Sequence, residues 1–383
     1  MTSLRRAASI ADYREAARRR LPNMLFEYID GGSYDEATLR RNVGDFERLA
    51  LRQRVLRDMS ALDTAIKTLN QTFSMPLGLS PVGMAGMYAR RGETQAARAA
   101  AAAGIPFCLS TVGICSVEEV ARTGIAPWFQ LYVLKDRGYM RELLLRAKAA
   151  GSPVLMLTAD LPVPGARYRD VRSGFRGLTG LHAVLNRAKD GLTHPSWAWD
   201  VWLRGRPHSL GSVAGALDGQ STADFLTWIA NNFDRSMTWN DLDWIRAQWD
   251  GPLVIKGVLD TEDARAAVKA GAQGIVVSNH GGRQLDGVRS SISALPMFAD
   301  ALGGDIEIYL DSGVRSGLDV LKALALGAKA CFIGRAWAYA LGAGGQAAIT
   351  RMLDTFRSEL EVAMVLTGCR SVRDASRELL DHA

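Results

Sequence analysis

The sequence predicts an α/β protein, a closed (β/α)8 barrel of TIM type with an N-terminal helical extension and a long insertion after the fourth strand. Three observations lead there. Eight short apolar runs recur from residue 75 onward, most of them ending in a polar or glycine-rich turn. Ala-, Arg- and Leu-rich segments of helical character, such as 93–103 and 318–325, separate them. The runs are apolar throughout rather than alternating, which suits parallel strands covered on both faces. Eight such strands alternating with helices is the count that closes a barrel; an open doubly wound sheet is the alternative.

The extension comes first. Within 1–70, Ile10, Tyr13, Ala16 and Ala17 share one helical face, with arginines between them. Pro22 breaks that pattern. A second helix runs from Asn23 to a stop at Gly31 and Gly32, read as a C-cap. Tyr28 lies just before the stop, as a core residue or as part of a site.

The apolar runs follow, each with its polar successor. Run 76–79 precedes Ser80 and Pro81; 107–109 precedes Ser110; 128–129 precedes Gln130 and Tyr132; 154–157 precedes Thr158 and Asp160. Then 253–255 precedes Lys256; 274–277 precedes Ser278 and His280; 306–310 precedes Asp311 and Gly313; 331–333 precedes Gly334 and Arg335. In a (β/α)8 barrel the strand C-termini share one face, where active sites are built. These residues are therefore expected to converge in space.

One connection is oversized. About ninety residues separate Asp160 from Leu253, where one β/α unit needs about thirty. The excess defines an insertion over 171–245, and the chain is expected to be one barrel domain spanning 1–383. Seven of the nine tryptophans lie in this connection: Trp197, Trp199, Trp202, Trp228, Trp239, Trp244 and Trp249. Packing on the protein itself and contact with a membrane interface both suit them. The segment 342–347 fits G-x-G-x-x-A, but it follows a helical run instead of a strand and is read as a helix end.

Composition narrows the function classes. Hydrophobic residues make up 48% and charged residues 22% of the 383, as in ordinary globular proteins, with a net charge of +6. The arginines are dispersed and not interleaved with aromatics, which argues against nucleic acid. No run reaches the length of a spanning helix and no signal-peptide core opens the chain. Cys108, Cys115, Cys331 and Cys369 have no metal-type spacing, so no metal site and a reducing, cytoplasmic compartment are expected.

Chemistry concentrates at the run ends. Gly313, Arg315, Gly334 and Arg335 follow the seventh and eighth runs, the usual phosphate end of this fold. Ser110, Gln130 and Thr158 offer uncharged hydrogen bonds suited to a planar heterocycle. Lys256 has three readings: a Schiff-base nucleophile, as in barrel aldolases; an electrostatic partner for an anionic ring; or a salt-bridge cation. His280 titrates near neutral pH and Asp160 can orient it, so the pair forms a candidate base. Arg283 with Arg167 or Arg169 can grip a carboxylate, which implies a small organic acid.

The motifs SNHGGRQLD and DSGVRSGLDVLKALALGA…IGRA, with LPNMLFEYIDGG, SPVGMAGMYARRGE, LSTVGICSVEEVA, WFQLYVLKDRG and LTADLPVPGARYRD, span nearly the whole chain. They strongly resemble the FMN-dependent α-hydroxy acid dehydrogenase and oxidase family. MYARRGE, PGARYRD and THPSWAWDV are most similar to its bacterial respiratory branch, which oxidises L-lactate. The resemblance implies FMN as cofactor and oxidation of an L-2-hydroxy acid, L-lactate to pyruvate. It implies that the backbone of Ser80, Pro81, Val82 and Gly83 lies along the flavin ring. Ser110, Gln130, Thr158 and Lys256 would bind the ring's polar edge, with Ser278 and Asp311 on the ribityl side. Gly313, Arg315, Gly334 and Arg335 would take the phosphate. Arg167, Arg283 and Tyr28 would hold the substrate carboxylate, Tyr132 its hydroxyl, and His280 with Asp160 would act as base and partner.

The resemblance further implies a quinone or other electron acceptor, a homotetramer, and a peripheral position on the inner face of the cell membrane. Glycine at Gly83 fits a dehydrogenase better than an oxidase, and Val112 leaves room for a substrate larger than glycolate. No flavocytochrome is expected, since no cytochrome-like domain precedes residue 75. A (S)-mandelate dehydrogenase, an oxidase using O2, and a phosphate-binding aldolase or isomerase on the same barrel are the competing expectations.

Overall fold

Hydrogen bonds between successive parallel strands close the predicted ring in the computed structural model, which describes residues 6–175, 190–213, 231–302 and 304–381. The barrel strands are β3 (Leu77–Leu79), β4 (Cys108–Ser110), β5 (Trp128–Tyr132), β6 (Leu155–Thr158), β7 (Leu253–Val258), β8 (Gly274–Val277), β9 (Glu307–Leu310) and β10 (Ala330–Ile333). Their order is β3-β10-β9-β8-β7-β6-β5-β4, and a parallel bridge from Leu79 to Phe107 joins the two ends. Each strand overlaps an apolar run, and nearly all strand residues are buried, as expected for strands covered on both faces.

Register assigns the inner face. Tyr132 pairs with Thr158 and Thr158 with Lys256, so all three point the same way. Trp128, Tyr309 and Phe332 fill the lower barrel with ring centroids 5.4–6.3 Å apart. The barrel is thus packed below and open only above, at the strand C-termini.

The extension is helical over α1 (Ile10–Arg20), α2 (Asn23–Asp30) and α3 (Ala37–Glu47). It is not helical to residue 70. A hairpin, β1 (Ile66–Thr68) and β2 (Gln71–Phe73), lies under the barrel, with Trp128 Nε1 donating to Gln71 Oε1 at 3.2 Å. Its two-residue turn puts Leu69 and Asn70 at φ 43° and 60°. Such turns are usually signalled by Asn-Gly or Asp-Gly, and leucine there hid this one. Gly31 ends α2 in an extended conformation (φ −68°), so its smallness and not a left-handed backbone is what matters: a Cβ would lie 2.8 Å from Glu27 O.

The segment 342–347 is a kink rather than an end. The helix Arg335–Thr367 passes through it with Gly344 and Gly345 out of helical geometry, and Gln95 Oε1 accepts the Gln346 N–H at 2.8 Å. Among the described residues no helix is long and apolar enough to cross a membrane.

Candidate active site

The eight strand ends converge on one cavity. It is lined by Tyr28, Ser80, Pro81, Val82, Gly83, Tyr132, Arg167, Lys256, His280, Arg283, Asp311, Gly313, Arg315, Gly334 and Arg335. Asp160 and Ser278 are not in this lining but bond to His280 and Lys256, which are; Thr158 pairs with Lys256 across β6 and β7, and Ser110 donates to Gln130 Oε1 at 3.0 Å.

One set of charges is paired. His280 Nδ1 lies 2.8 Å from Asp160 Oδ1. Burial tends to raise the Asp160 carboxyl, but His280 and Lys256 outweigh it and hold it below the ordinary carboxylate range. An ionised carboxylate only accepts, so Nδ1 carries the hydrogen and Nε2 carries the lone pair. Burial lowers the imidazole from its ordinary value, against the pull of Asp160, so His280 is neutral near pH 7. Lys256 Nζ is 3.0 Å from Asp311 Oδ2 and donates to Ser278 Oγ at 3.0 Å. Burial works against its charge, yet Asp311 and Asp160 raise it above the usual lysine value. The salt-bridge reading of Lys256 therefore holds, and a permanently charged ammonium is a poor Schiff-base nucleophile. Ser278, fully buried, also accepts the His280 N–H at 3.1 Å.

The other set gathers cations. Arg283 and Arg167 lie over the Tyr28 ring at 4.8 and 5.9 Å. Arg283 Nη1 donates to the carbonyls of Tyr28 (2.5 Å) and Gly31 (2.9 Å). Arg335 donates to the carbonyls of Ile29, Gly281 and Gly31 at 2.8–3.0 Å. Among the described residues, no carboxylate lies within 4 Å of the guanidinium of Arg283, Arg315 or Arg335, and Arg167 reaches Asp170 only at 3.8 Å. Burial, then the neighbouring Arg283, lowers Arg167. Burial, with Arg283 and Arg315 nearby, lowers Arg335 to about 9. Buried cations set against one another require an anion.

These features fit FMN. Among the described residues, Gln130 Nε2, Thr158 Oγ1 and Ser80 Oγ are buried without a partner, as an uncharged ring edge would need. Lys256 supplies a cation beside them. Arg315 and Arg335, with Gly313 and Gly334, supply the anion end.

The structure separates Arg167 from Arg169. Arg167 lines the cavity, while Arg169 ion-pairs with Glu27, with Asp30 at 2.8 Å and with Glu36 at 3.4 Å, outside it. Sequence reasoning missed Tyr88, whose hydroxyl donates to Gly83 O at 3.1 Å and so fixes the 80–83 backbone. It also missed Asn42, treated below. Asp286 accepts the Ala37 and Thr38 N–H groups at 3.1 and 2.7 Å and caps α3. His194 and His208 bind backbone carbonyls near the surface; His182 and His382 lie outside the described residues.

The insertion divides its tryptophans. Trp197 and Trp249 are buried, and Trp239 and Trp244 are half-buried against the core. Trp199, Trp202 and Leu203 are 60%, 50% and 47% exposed on one helical turn, with Arg206 at 4.9 Å over the Trp202 ring. Trp228 lies outside the described residues. The inward side is anchored to site loops: Trp197 Nε1 donates to Met87 O at 2.8 Å and Gly211 N to Gly113 O at 3.0 Å.

Comparison with known proteins agrees with this geometry. Residues 17–382 match the family described as FMN-dependent dehydrogenase. An L-lactate dehydrogenase of Pseudomonas putida (strain GB-1) is 58% identical over 372 residues, covering 96% of this chain and 97% of its own. One of Haemophilus influenzae (strain PittEE) is 57% identical over 375 residues, covering 97% and 98%. Among solved structures, the monotopic membrane protein (S)-mandelate dehydrogenase superposes with a TM-score of 0.92 at 33% identity, over 99% of this chain and 100% of that one. A mandelate oxidase gives 0.83 at 38%, covering 98% of each.

Proposed function

Because the chain belongs to the FMN-dependent dehydrogenase family, we propose that it oxidises L-lactate to pyruvate in the cavity at the barrel mouth. The observation that carries the reading is the facing of a neutral, carboxylate-oriented His280 by two partly buried arginines. Among the described residues the Arg283 guanidinium meets no acid within 4 Å, and the nearest acid to Arg167 is Asp170 at 3.8 Å. FMN, when bound, supplies the two-electron acceptor for the α-carbon. Arg167 and Arg283 take the substrate carboxylate, and Tyr28 and Tyr132 orient it. His280 Nε2 receives the proton that leaves the substrate, and Asp160 holds the imidazole and stabilises its charged form. Lys256 would offer positive charge to the polar edge of the cofactor, Ser110, Gln130 and Thr158 would hydrogen-bond it, and the 80–83 backbone would help to hold its ring. Ser278 and Asp311 brace Lys256 on the ribityl side. Arg315 and Arg335 balance the phosphate at Gly313 and Gly334.

The whole chain works as one FMN-binding unit in this reading, with 171–245 as its insertion. Electrons leave to a membrane quinone, and the exposed Trp199, Trp202 and Leu203 rest on the inner face of the cell membrane. Their amphipathic turn beside Arg204 and Arg206 supports this. Trp199→Ser with Trp202→Ser should then shift the enzyme from the membrane to the soluble fraction with its rate on a soluble dye retained; unchanged partitioning would refute that surface. The homotetramer implied by the family resemblance belongs to the same reading and is tested by mass in solution.

A second reading, (S)-mandelate oxidation, has support of its own. The solved (S)-mandelate dehydrogenase superposes over 99% of this chain with a TM-score of 0.92, and Val112, a residue of modest size, lines the cavity. Steady-state kcat/KM on L-lactate against (S)-mandelate decides: a higher value for lactate is expected, and the reverse would transfer the assignment.

A further inference from the structure

What holds His280 in place lies partly outside the barrel. His280 has φ 57°, followed by Gly281 at 69° and Gly282 at 70°. A non-glycine residue in the left-handed region persists only where its surroundings fix it. The turn is tied at each residue. The His280 N–H goes to Ser278 Oγ, and the Gly281 N–H to Ser312 Oγ at 2.9 Å. The Gly282 N–H goes to both Asn279 O (3.0 Å) and Asn279 Oδ1 (2.9 Å).

Asn279 is therefore the pivot, and its amide is fully used. Asn279 Oδ1 also accepts from Asn42 Nδ2 at 2.8 Å, and Asn279 Nδ2 donates to Asn42 Oδ1 at 2.7 Å and to Arg289 O at 3.1 Å. Asn42 sits on α3 and is 1% exposed. The anion-side loop rests on the same residue: a Cβ on Gly313 would lie 1.9 Å from Asn42 O. Docking of α3 does not depend on this pair alone. Asp286 caps the helix, Ser290 Oγ donates to Asp45 Oδ2 at 2.6 Å, and Arg41 reaches the carbonyls of Gly287 and Val288.

We propose that Asn42 is a positioning residue: through its reciprocal amide pair with Asn279, the N-terminal extension holds the base turn 279–282, and with it His280, in reacting geometry. The proposal rests on the functional reading above. It separates His280 from Arg283, which is fixed independently by the carbonyls of α2. Loss of the pair should therefore reduce kcat and leave KM for the carboxylate substrate unchanged. A displacement of the base by about 1 Å costs on the order of a hundredfold.

The test compares flavin-loaded wild type, Asn42→Ala, Asn42→Asp and Asp286→Ala, with kcat expressed per bound FMN. Asn42→Ala should lose about tenfold to a hundredfold in kcat at constant KM. Asn42→Asp keeps the acceptor for Asn279 Nδ2 but sets a buried carboxylate oxygen against Asn279 Oδ1, and should lose at least as much. Asp286→Ala should melt earlier with kcat unchanged. FMN affinity, read on apoprotein by quenching of flavin fluorescence, should hold in both Asn42→Ala and Asp286→Ala, because Gly313 packs on the Asn42 backbone carbonyl, which alanine retains. Wild-type kcat in Asn42→Ala, or in Asn42→Asp if the alanine variant does not fold, would overturn the proposal. So would a loss of melting temperature alone, as in Asp286→Ala. A wild type whose flavin no 2-hydroxy acid reduces would instead overturn the functional reading.

Discussion

Two sets of charges at the barrel mouth solve opposite electrostatic problems. In the first set, at the ends of β6–β9, each charge meets its complement within the protein: His280 with Asp160 at 2.8 Å, Lys256 with Asp311 at 3.0 Å. In the second set, drawn from the loops after β6, β8, β9 and β10, the Arg283, Arg315 and Arg335 guanidiniums donate only to backbone carbonyls among the described residues, and Arg167 has Asp170 no closer than 3.8 Å. The first set is complete without ligand and suited to proton transfer. The second is charge-incomplete and suited to anions, a carboxylate at Arg167 and Arg283 and a phosphate at Arg315 and Arg335. Removing groups from the first should therefore damage rate, and from the second affinity.

His280→Gln tests the first set hardest. It should retain FMN and lose about 10²–10⁴ in kcat; normal turnover would break the comparison. Arg283→Met tests the second. It should raise KM for L-lactate by about 10- to 100-fold, the worth of hydrogen bonds to a charged group, more than it lowers kcat. Arg315→Ala should weaken FMN binding to apoprotein by about tenfold, with KM for substrate on the loaded enzyme unchanged. The smallest effect is on pH. His280 must be neutral to accept a proton, and burial lowers it from its ordinary value. The acid limb of kcat/KM should then fall below about pH 6.5. Asp160 acts to raise His280, so Asp160→Asn should move that limb lower still. A limb that moved up would reverse the assigned electrostatics.

How much of this was legible in the sequence follows from the range of the signals. Eight apolar runs with polar successors report a local period and a chain direction, and together those fix which residues meet at the mouth. His280, Arg283 and Asp160 were readable for that reason. The hairpin at 66–73 was not, because Leu69 occupies a left-handed turn position that carries no leucine signal. The choice of Arg167 over Arg169 was closed to spacing, since both are two residues apart on one segment. Acids on other elements, Glu27, Asp30 and Glu36, draw Arg169 away. Asn42 was invisible for the same reason: its partner is Asn279, and no local pattern pairs two asparagines that distant. Asp286, prominent beside His280 in sequence, turned out to serve a helix cap.

The central claim is that this mouth passes electrons from a 2-hydroxy acid to FMN. It is tested most directly by mixing the purified yellow protein with L-lactate anaerobically, without any acceptor. Bleaching of the flavin absorption, with one pyruvate released per FMN and no response to D-lactate, is the predicted result. A flavin that stays oxidised with L-lactate would contradict the account.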